Sequence, residues 1–187
     1  GEVLIPEAVR GAGPGKRFRI WSAGCSTGEE PYTIAITLRE NFPEIARWDV
    51  KVLATDIDSN VLDSARKGVY RSDSLREVPK TIMLDYFREV KKEGDHRYYQ
   101  VDPSLKDLIT FKFLNLKETW PMKGPFDAIF CRNVMIYFDR EMRNGIIRKY
   151  ARLLKVGGYL YLGHSENIFG AEEGFVSEGH TVYRKVK

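Results

Sequence analysis

Gly24, Asp56, Asn115, Asn133 and Gly163 each follow a short apolar run. In an open parallel sheet, ligands gather at the carboxyl ends of the strands, where such residues would stand. Gly24 opens a small-residue turn, Gly24-Cys25-Ser26-Thr27-Gly28, and Glu29 and Glu30 come straight after it. A phosphate-binding loop prefers free N–H groups and no nearby anions. Two carboxylates instead suit a ligand that is cationic or rich in hydroxyl and amino groups. Only Gly24 and Gly28 of the G-x-G-x-x-G pattern are present, so the turn is a weak dinucleotide fingerprint. Asp56 is placed to reach the ribose hydroxyls of a nucleoside lying over that turn. It follows Gly28 by 28 residues, against roughly 20 in the dinucleotide pattern. Asp56 or Asp58 can also cap the next helix; Asp58 is expected to cap and Asp56 to take the ribose. Asn115 can pair with an adenine edge, and Asn133 with its following loop would face the reacting group. No Ser/His/Asp set and no metal cluster stands out. The three histidines, His96, His164 and His180, read as loop residues.

The elements that must position these groups follow from periodicity. Phe18, Ile20 and Trp21 make a strand. Ser26 or Thr27 is expected to cap a helix from about Gly28 to Asn41, with Pro31 in its first turn and two early glutamates at its positive end. A second strand spans Asp49 to Thr55, and a helix begins at Ser59-Asn60 and closes at Gly68. From Gly68 to Asp107 the alternation lapses. Pro79 to Phe87 reads as helical, Arg88 to Val101 as a hairpin turning near Gly94-Asp95, and Pro103 to Leu108 as a short helical turn. Strands resume at Ile109 to Leu114 and at Phe126 to Cys131. An aromatic loop, Val134 to Phe138, leads to a helix from about Arg140 to Leu154, ended by Gly157-Gly158. Tyr159 to Leu162 is a fifth strand. Phe175 to Lys185 reads as a terminal antiparallel hairpin about Gly179-His180. Glu2 to Arg10 is expected to be helical, with a flexible lead-in to Arg17.

The 187 residues, 43% apolar, suit one domain with a core. No apolar run reaches the roughly 18 residues of a membrane span, and no secretory leader is expected. Cys25 and Cys131 are expected as free thiols of a reduced, cytosolic protein. Between Asp139 and Lys155, six basic residues face two acidic ones, a difference equal to the whole net charge of +4. That segment is either a solvated helix face or a surface that meets an acidic partner. The abrupt start is compatible with a piece of a longer protein.

Taken together, IWSAGCSTGEEPY, ATDID, FDAIFCRNVMIYFD and GHSEN closely resemble the protein-glutamate O-methyltransferases of bacterial chemotaxis, within the class I S-adenosylmethionine-dependent methyltransferases. The resemblance covers Arg17 to Lys187. It implies a Rossmann-like α/β fold: a mostly parallel seven-stranded sheet, a C-terminal antiparallel hairpin and a small inserted β-subdomain at about 68–108. Residues 1–16 would be a remnant of a linker or N-terminal region, and 17–187 the methyltransferase domain. The implied reaction moves a methyl group from S-adenosylmethionine to glutamate side chains of chemoreceptors, leaving S-adenosylhomocysteine, with no metal. Ala23, Gly24 and Glu30 match the cofactor loop. Asp56, with Ile57 beside it, matches the ribose acid, and Asn115, Leu116, Arg132 and Asn133 match the remaining cofactor contacts.

Tyr137 matches a tyrosine implicated near the methyl acceptor; its alternative is an aromatic packed under the basic helix. A glutamate acceptor is already ionised at neutral pH, so no general base is required. Implied partners are the cytoplasmic receptor helices, and a receptor C-terminal peptide docked on the insert by strand addition. Nucleic acid, membrane insertion and oligomerisation are not implied. Family members also carry an N-terminal helical domain and a T-x-F-F-R-like segment. Neither precedes Arg17, so impaired activity is expected. Other readings are a nucleic-acid or amine methyltransferase, since Asn133 to Tyr137 echoes N/D-P-P-Y without its prolines, a binding module without turnover, or a nicotinamide oxidoreductase.

Overall fold

A computed structural model describes residues 17–168 and 174–187. The helix expected at Glu2 to Arg10 lies outside the described residues. The strands are β1 (Arg17–Ala23), β2 (Asp49–Asp56), β3 (Val69–Arg71), β4 (Phe87–Glu93), β5 (His96–Val101), β6 (Ile109–Phe113), β7 (Phe126–Cys131), β8 (Leu154–Leu162), β9 (Phe175–Gly179) and β10 (Val182–Lys185). The main helices are α1 (Glu29–Asn41), α2 (Ser59–Lys67), α3 (Lys80–Tyr86), α4 (Pro103–Lys106) and α5 (Arg140–Leu153).

The seven-stranded sheet runs β6-β2-β1-β7-β8-β10-β9. β1 pairs in parallel with β2 and β7, and β10 and β9 add the antiparallel end. Chain order reverses about β1, which makes its carboxyl end the switch-point crevice of a doubly wound sheet. Register brings the strand ends level: Ala23 pairs with Thr55, Asp56 with Phe113, Ser22 with Phe130, and Cys131 with Leu162.

Alternation along β1 sends side chains into two cores, one on each face of the sheet, as a parallel sheet covered on both sides requires. Phe18 and Ile20 join Tyr32, Leu38, Phe42 and Val52. Trp21 and Ala23 join Ile129, Cys131, Ile146, Tyr150 and Leu160. Trp21 is fully buried. Its ring meets Trp120 and Tyr150 edge-on at 5.0 and 5.2 Å, and its indole N–H donates to Thr55 Oγ1 at 2.9 Å. Cys25 and Cys131 are both free, as expected, and both are buried.

Several expectations change. α1 is not capped by Ser26 or Thr27. Its N-cap is Gly28, at φ 98°, with no side-chain cap. The Thr27 hydroxyl instead donates to the Glu29 carboxylate. Asp58, by contrast, caps α2 by accepting from Asn60 N at 2.7 Å. The insert is a three-stranded sheet in the order β3-β5-β4, not a hairpin alone. At three residues, β3 is too short to show a period. His96 begins β5 and is not a loop residue.

Gly157-Gly158 do not end α5. The strand β8 starts at once from Leu154, and its pairing with β7 jumps from Phe126↔Leu154 to Ala128↔Tyr159. Residues 155–158 bulge between those pairs. Gly157 has φ +81°, and a Cβ on Gly158 would stand 2.9 Å from the Lys155 carbonyl oxygen; the two glycines permit the bulge. Part of the basic segment serves the fold: Lys155 pairs with Asp127, and Lys149 lies 4.8 Å over the Trp120 ring.

Candidate functional site

The turn after β1 is built by hydrogen bonds to β2. Gly24 N and Cys25 N both donate to the Thr55 carbonyl, at 2.8 and 2.9 Å, and Gly28 N donates to Cys25 O at 3.0 Å. Ser26 N donates to Asp56 Oδ2 at 2.8 Å. These amides already have partners, so the turn is not a nest for phosphate oxygens. Gly24 sits at φ +81°, and a Cβ there would lie 2.3 Å from Val134 Cγ2. The β1 turn and the loop after β7 therefore touch through a position that has no room for a side chain. The insert braces the same turn, because the buried Tyr70 hydroxyl donates to Thr27 O at 2.8 Å.

Above the strand ends opens a cavity of about 920 Å³. Gly24, Glu30, Asp56, Ile57, Asn115, Leu116, Arg132, Asn133 and Tyr137 all contribute to its lining. Ala23 does not: it is fully buried and packs in the core with Trp21. Gly163, at the fifth strand end, also stands outside the lining. Asp56 accepts from Ser26 N through Oδ2 and from Asp58 N, at 3.1 Å, through Oδ1. Each oxygen keeps a lone pair free for a ligand hydroxyl. Asn115 is more committed: its Oδ1 accepts from Lys117 N and its Nδ2 donates to Glu118, both at 3.0 Å. One amide proton of Asn115 is left for a base edge.

Glu30 accepts from the buried Ser22 hydroxyl at 2.7 Å. Burial pushes its carboxyl above the ordinary range; the Ser22 hydrogen bond and the Arg132 charge act against that rise, and Glu166 adds to it. A cationic ligand group beside Glu30 would favour its charged form. Tyr137 lies on a single 3-10 turn, Met135–Tyr137. It is 78% exposed at the cavity mouth, so it is not packed under the basic helix. Cys25 lines the cavity with its thiol pushed up to about 12, first by burial and then by Asp56.

Glu29, read from sequence as one of two ligand-facing carboxylates, lines the cavity. Some lining residues were not singled out as ligand contacts. Ser26, Thr33, Val134 and Phe138 face the cavity, and their nearness to the GEEP and RNVMIY segments was the available signal. Glu166 was quoted only inside GHSEN. It is nonetheless 2% exposed and accepts three backbone N–H bonds, from Asn133, Met135 and Gly163. Among the described residues, no group of three or more His, Cys, Asp or Glu side chains is arranged to hold a metal ion.

The family model for the CheR methyltransferase, SAM binding domain, matches residues 1–184. A probable chemotaxis protein methyltransferase of Rhizobium etli is 47% identical over 182 residues, covering 97% of this chain and 68% of that protein. A chemotaxis protein methyltransferase of Escherichia coli (strain K12) is 44% identical over 184 residues, covering 97% of this chain and 62% of that protein. One of Borreliella burgdorferi is 47% identical over 155 residues, 82% of this chain and 53% of that protein. The chain thus spans roughly half to two thirds of these relatives' lengths. A TehB-like SAM-dependent methyltransferase of Corynebacterium glutamicum superposes with a TM-score of 0.51 at 16% identity, over 97% of this chain and 83% of that one. At that identity the likeness shows the class I fold and nothing finer.

Proposed function

We propose that this chain, which belongs to the CheR methyltransferase SAM-binding-domain family, methylates glutamate side chains of chemoreceptors with S-adenosylmethionine as the methyl donor. One observation carries the reading. Asp56, Glu30 and Arg132 line a single cavity of about 920 Å³ at the switch point, beside a turn in which the amides of Gly24, Cys25, Ser26 and Gly28 are already taken. This donor set fits an uncharged nucleoside bearing an amino-acid tail, and it does not fit a pyrophosphate. When bound, S-adenosylmethionine supplies a methyl group on a positively charged sulfur.

Asp56 takes the ribose hydroxyls, Asn115 and Leu116 the adenine, and Glu30 the ammonium of the tail. Arg132 offers its guanidinium to a carboxylate, and Asn133 and Tyr137 orient the acceptor at the mouth. The acceptor glutamate arrives ionised and needs no base. The residues' task is to align that carboxylate and exclude water from it.

The receptor's cytoplasmic helices are the proposed partners. Two surfaces support docking. β4 is the outer strand of the insert, and Arg88 to Glu93 are exposed along it, an edge able to accept a peptide strand. Arg148 and Arg152 lie on the basic helix α5 and suit acidic receptor helices. The proposal places the reaction in the cytoplasm, carried out by a monomer. Among the described residues, no helix is long and apolar enough to cross a membrane.

Incubation with labelled S-adenosylmethionine and a panel of acceptors tests the reading. Label on glutamates of receptor cytoplasmic domains is expected. Label on nucleic acid and none on receptor would overturn it, and calorimetric binding without turnover on any acceptor would leave a binding module.

A further inference from the structure

Glu166 is a buried carboxylate that binds no proposed ligand, and among the described residues it forms no ion pair with a cation. Its Oε2 accepts from Asn133 N at 3.0 Å and Gly163 N at 2.6 Å, and its Oε1 accepts from Met135 N at 2.6 Å. A carboxylate so far from water is tolerable only when its lone pairs are satisfied. The donors come from two different strand ends: Gly163 follows β8, while Asn133 and Met135 follow β7.

The geometry around this junction leaves little freedom. Asn133 has φ +60°, a left-handed conformation that non-glycine residues adopt at a cost. A Cβ on Gly163 would come within 2.6 Å of Asn133 Oδ1 and 2.7 Å of Glu166 Oε2, so only glycine lets the two ends close. On the opposite side, Gly24 offers Val134 the space a methyl would fill. The loop that bears Arg132, Asn133 and Tyr137 is thus held between Gly24 and Glu166.

We propose that Glu166 is a positioning residue for methyl transfer: by gathering the amides of Asn133, Met135 and Gly163, it fixes the loop that presents Arg132, Asn133 and Tyr137 at the reacting end of the cavity. The inference rests on reading that cavity as a methyltransferase site. Glu166 touches neither Asp56 nor Asn115, which lie at the other end of the cavity lining. Its loss should therefore disturb the chemical step more than the grip on the nucleoside. Glutamine cannot replace it. One end of the amide would present N–H to an N–H, whichever way it is turned. Aspartate keeps the charge but is one methylene short of spanning all three donors.

The test compares wild type, Glu166→Gln and Glu166→Asp. It reads kcat and KM with a receptor acceptor, S-adenosylhomocysteine affinity by calorimetry, and the amide proton shifts of Asn133, Met135 and Gly163. For Glu166→Gln, kcat should fall about tenfold or more, while Kd for S-adenosylhomocysteine, only the tail of which meets this loop, rises by a clearly smaller factor. Glu166→Asp should show the same split to a smaller degree, and it decides the matter if the glutamine variant does not fold. An unchanged kcat, or kcat and Kd worsening in step, overturns the inference. If wild type methylates no acceptor, the proposed function fails on its own. The amide protons then decide this point: downfield signals in wild type that move in Glu166→Asp support the clamp, and signals that stay put overturn it.

Discussion

Asp56 carries the ribose end of the account, and its geometry sets what its loss should do. Each carboxylate oxygen already accepts one backbone N–H, from Ser26 and from Asp58. Asp56→Ala therefore removes ligand contacts and loosens the turn together. Affinity for S-adenosylhomocysteine should drop by about 1–3 kcal/mol, as for hydrogen bonds to a charged group; unchanged affinity by calorimetry would take Asp56 out of the site. Tyr137 belongs to the other end. Exposed as it is, it contributes little to the core, so Tyr137→Phe should leave the melting temperature in place. If its hydroxyl orients the acceptor, kcat/KM should fall by about 0.5–1.5 kcal/mol in barrier terms. Equal turnover by the two proteins would return Tyr137 to a bystander.

At the scale of elements, the turn after β1 and the loop after β7 form one unit through Gly24. Gly24→Ala adds a methyl 2.3 Å from Val134 Cγ2 on a backbone at φ +81°. Both the clash and the conformation oppose it. Stability should fall by about 1–3 kcal/mol, with a parallel loss of cofactor affinity; urea melts that superpose on wild type would contradict the close approach. Much at this scale was readable beforehand. β7 falls on the expected Phe126–Cys131, because an apolar run bounded by proline and polar residues is unambiguous. α5, expected from about Arg140 to Leu154, runs Arg140–Leu153. Three features were not readable. β3 is too short for periodicity, the Gly157-Gly158 pair looked like a helix stop but is a strand bulge, and the Gly28 cap displaced two good capping residues. Each depends on a tertiary contact: β5, β7, or Ala65 and Tyr70 against Gly28.

Across the whole molecule, the two cores bury groups that would rather ionise in water. Burial pushes the Cys25 and Cys131 thiols from 9.0 up to about 12, and it raises Tyr32, Tyr70 and Tyr150 as well. Between pH 9.0 and about 12 the unfolded chain releases thiol protons that the folded chain keeps. Stability then falls as pH rises. The urea midpoint should shift down from about pH 8 to about pH 11, and both thiols should resist alkylation until the protein unfolds; a flat profile with rapid labelling would contradict that burial. The strand ends that frame the site were legible because the order of apolar runs and the residues after them follow the logic of a parallel sheet. The link between those ends through Glu166 was not, since one glutamate in a polar pentapeptide does not show that it will be buried.

The central claim is chemical: an ester forms on a glutamate carboxylate. Receptor cytoplasmic domains labelled by this chain from methyl-labelled S-adenosylmethionine should release that label as methanol on brief treatment with alkali, as a carboxyl methyl ester must. Label that survives alkali, held on nitrogen or carbon, would contradict the account.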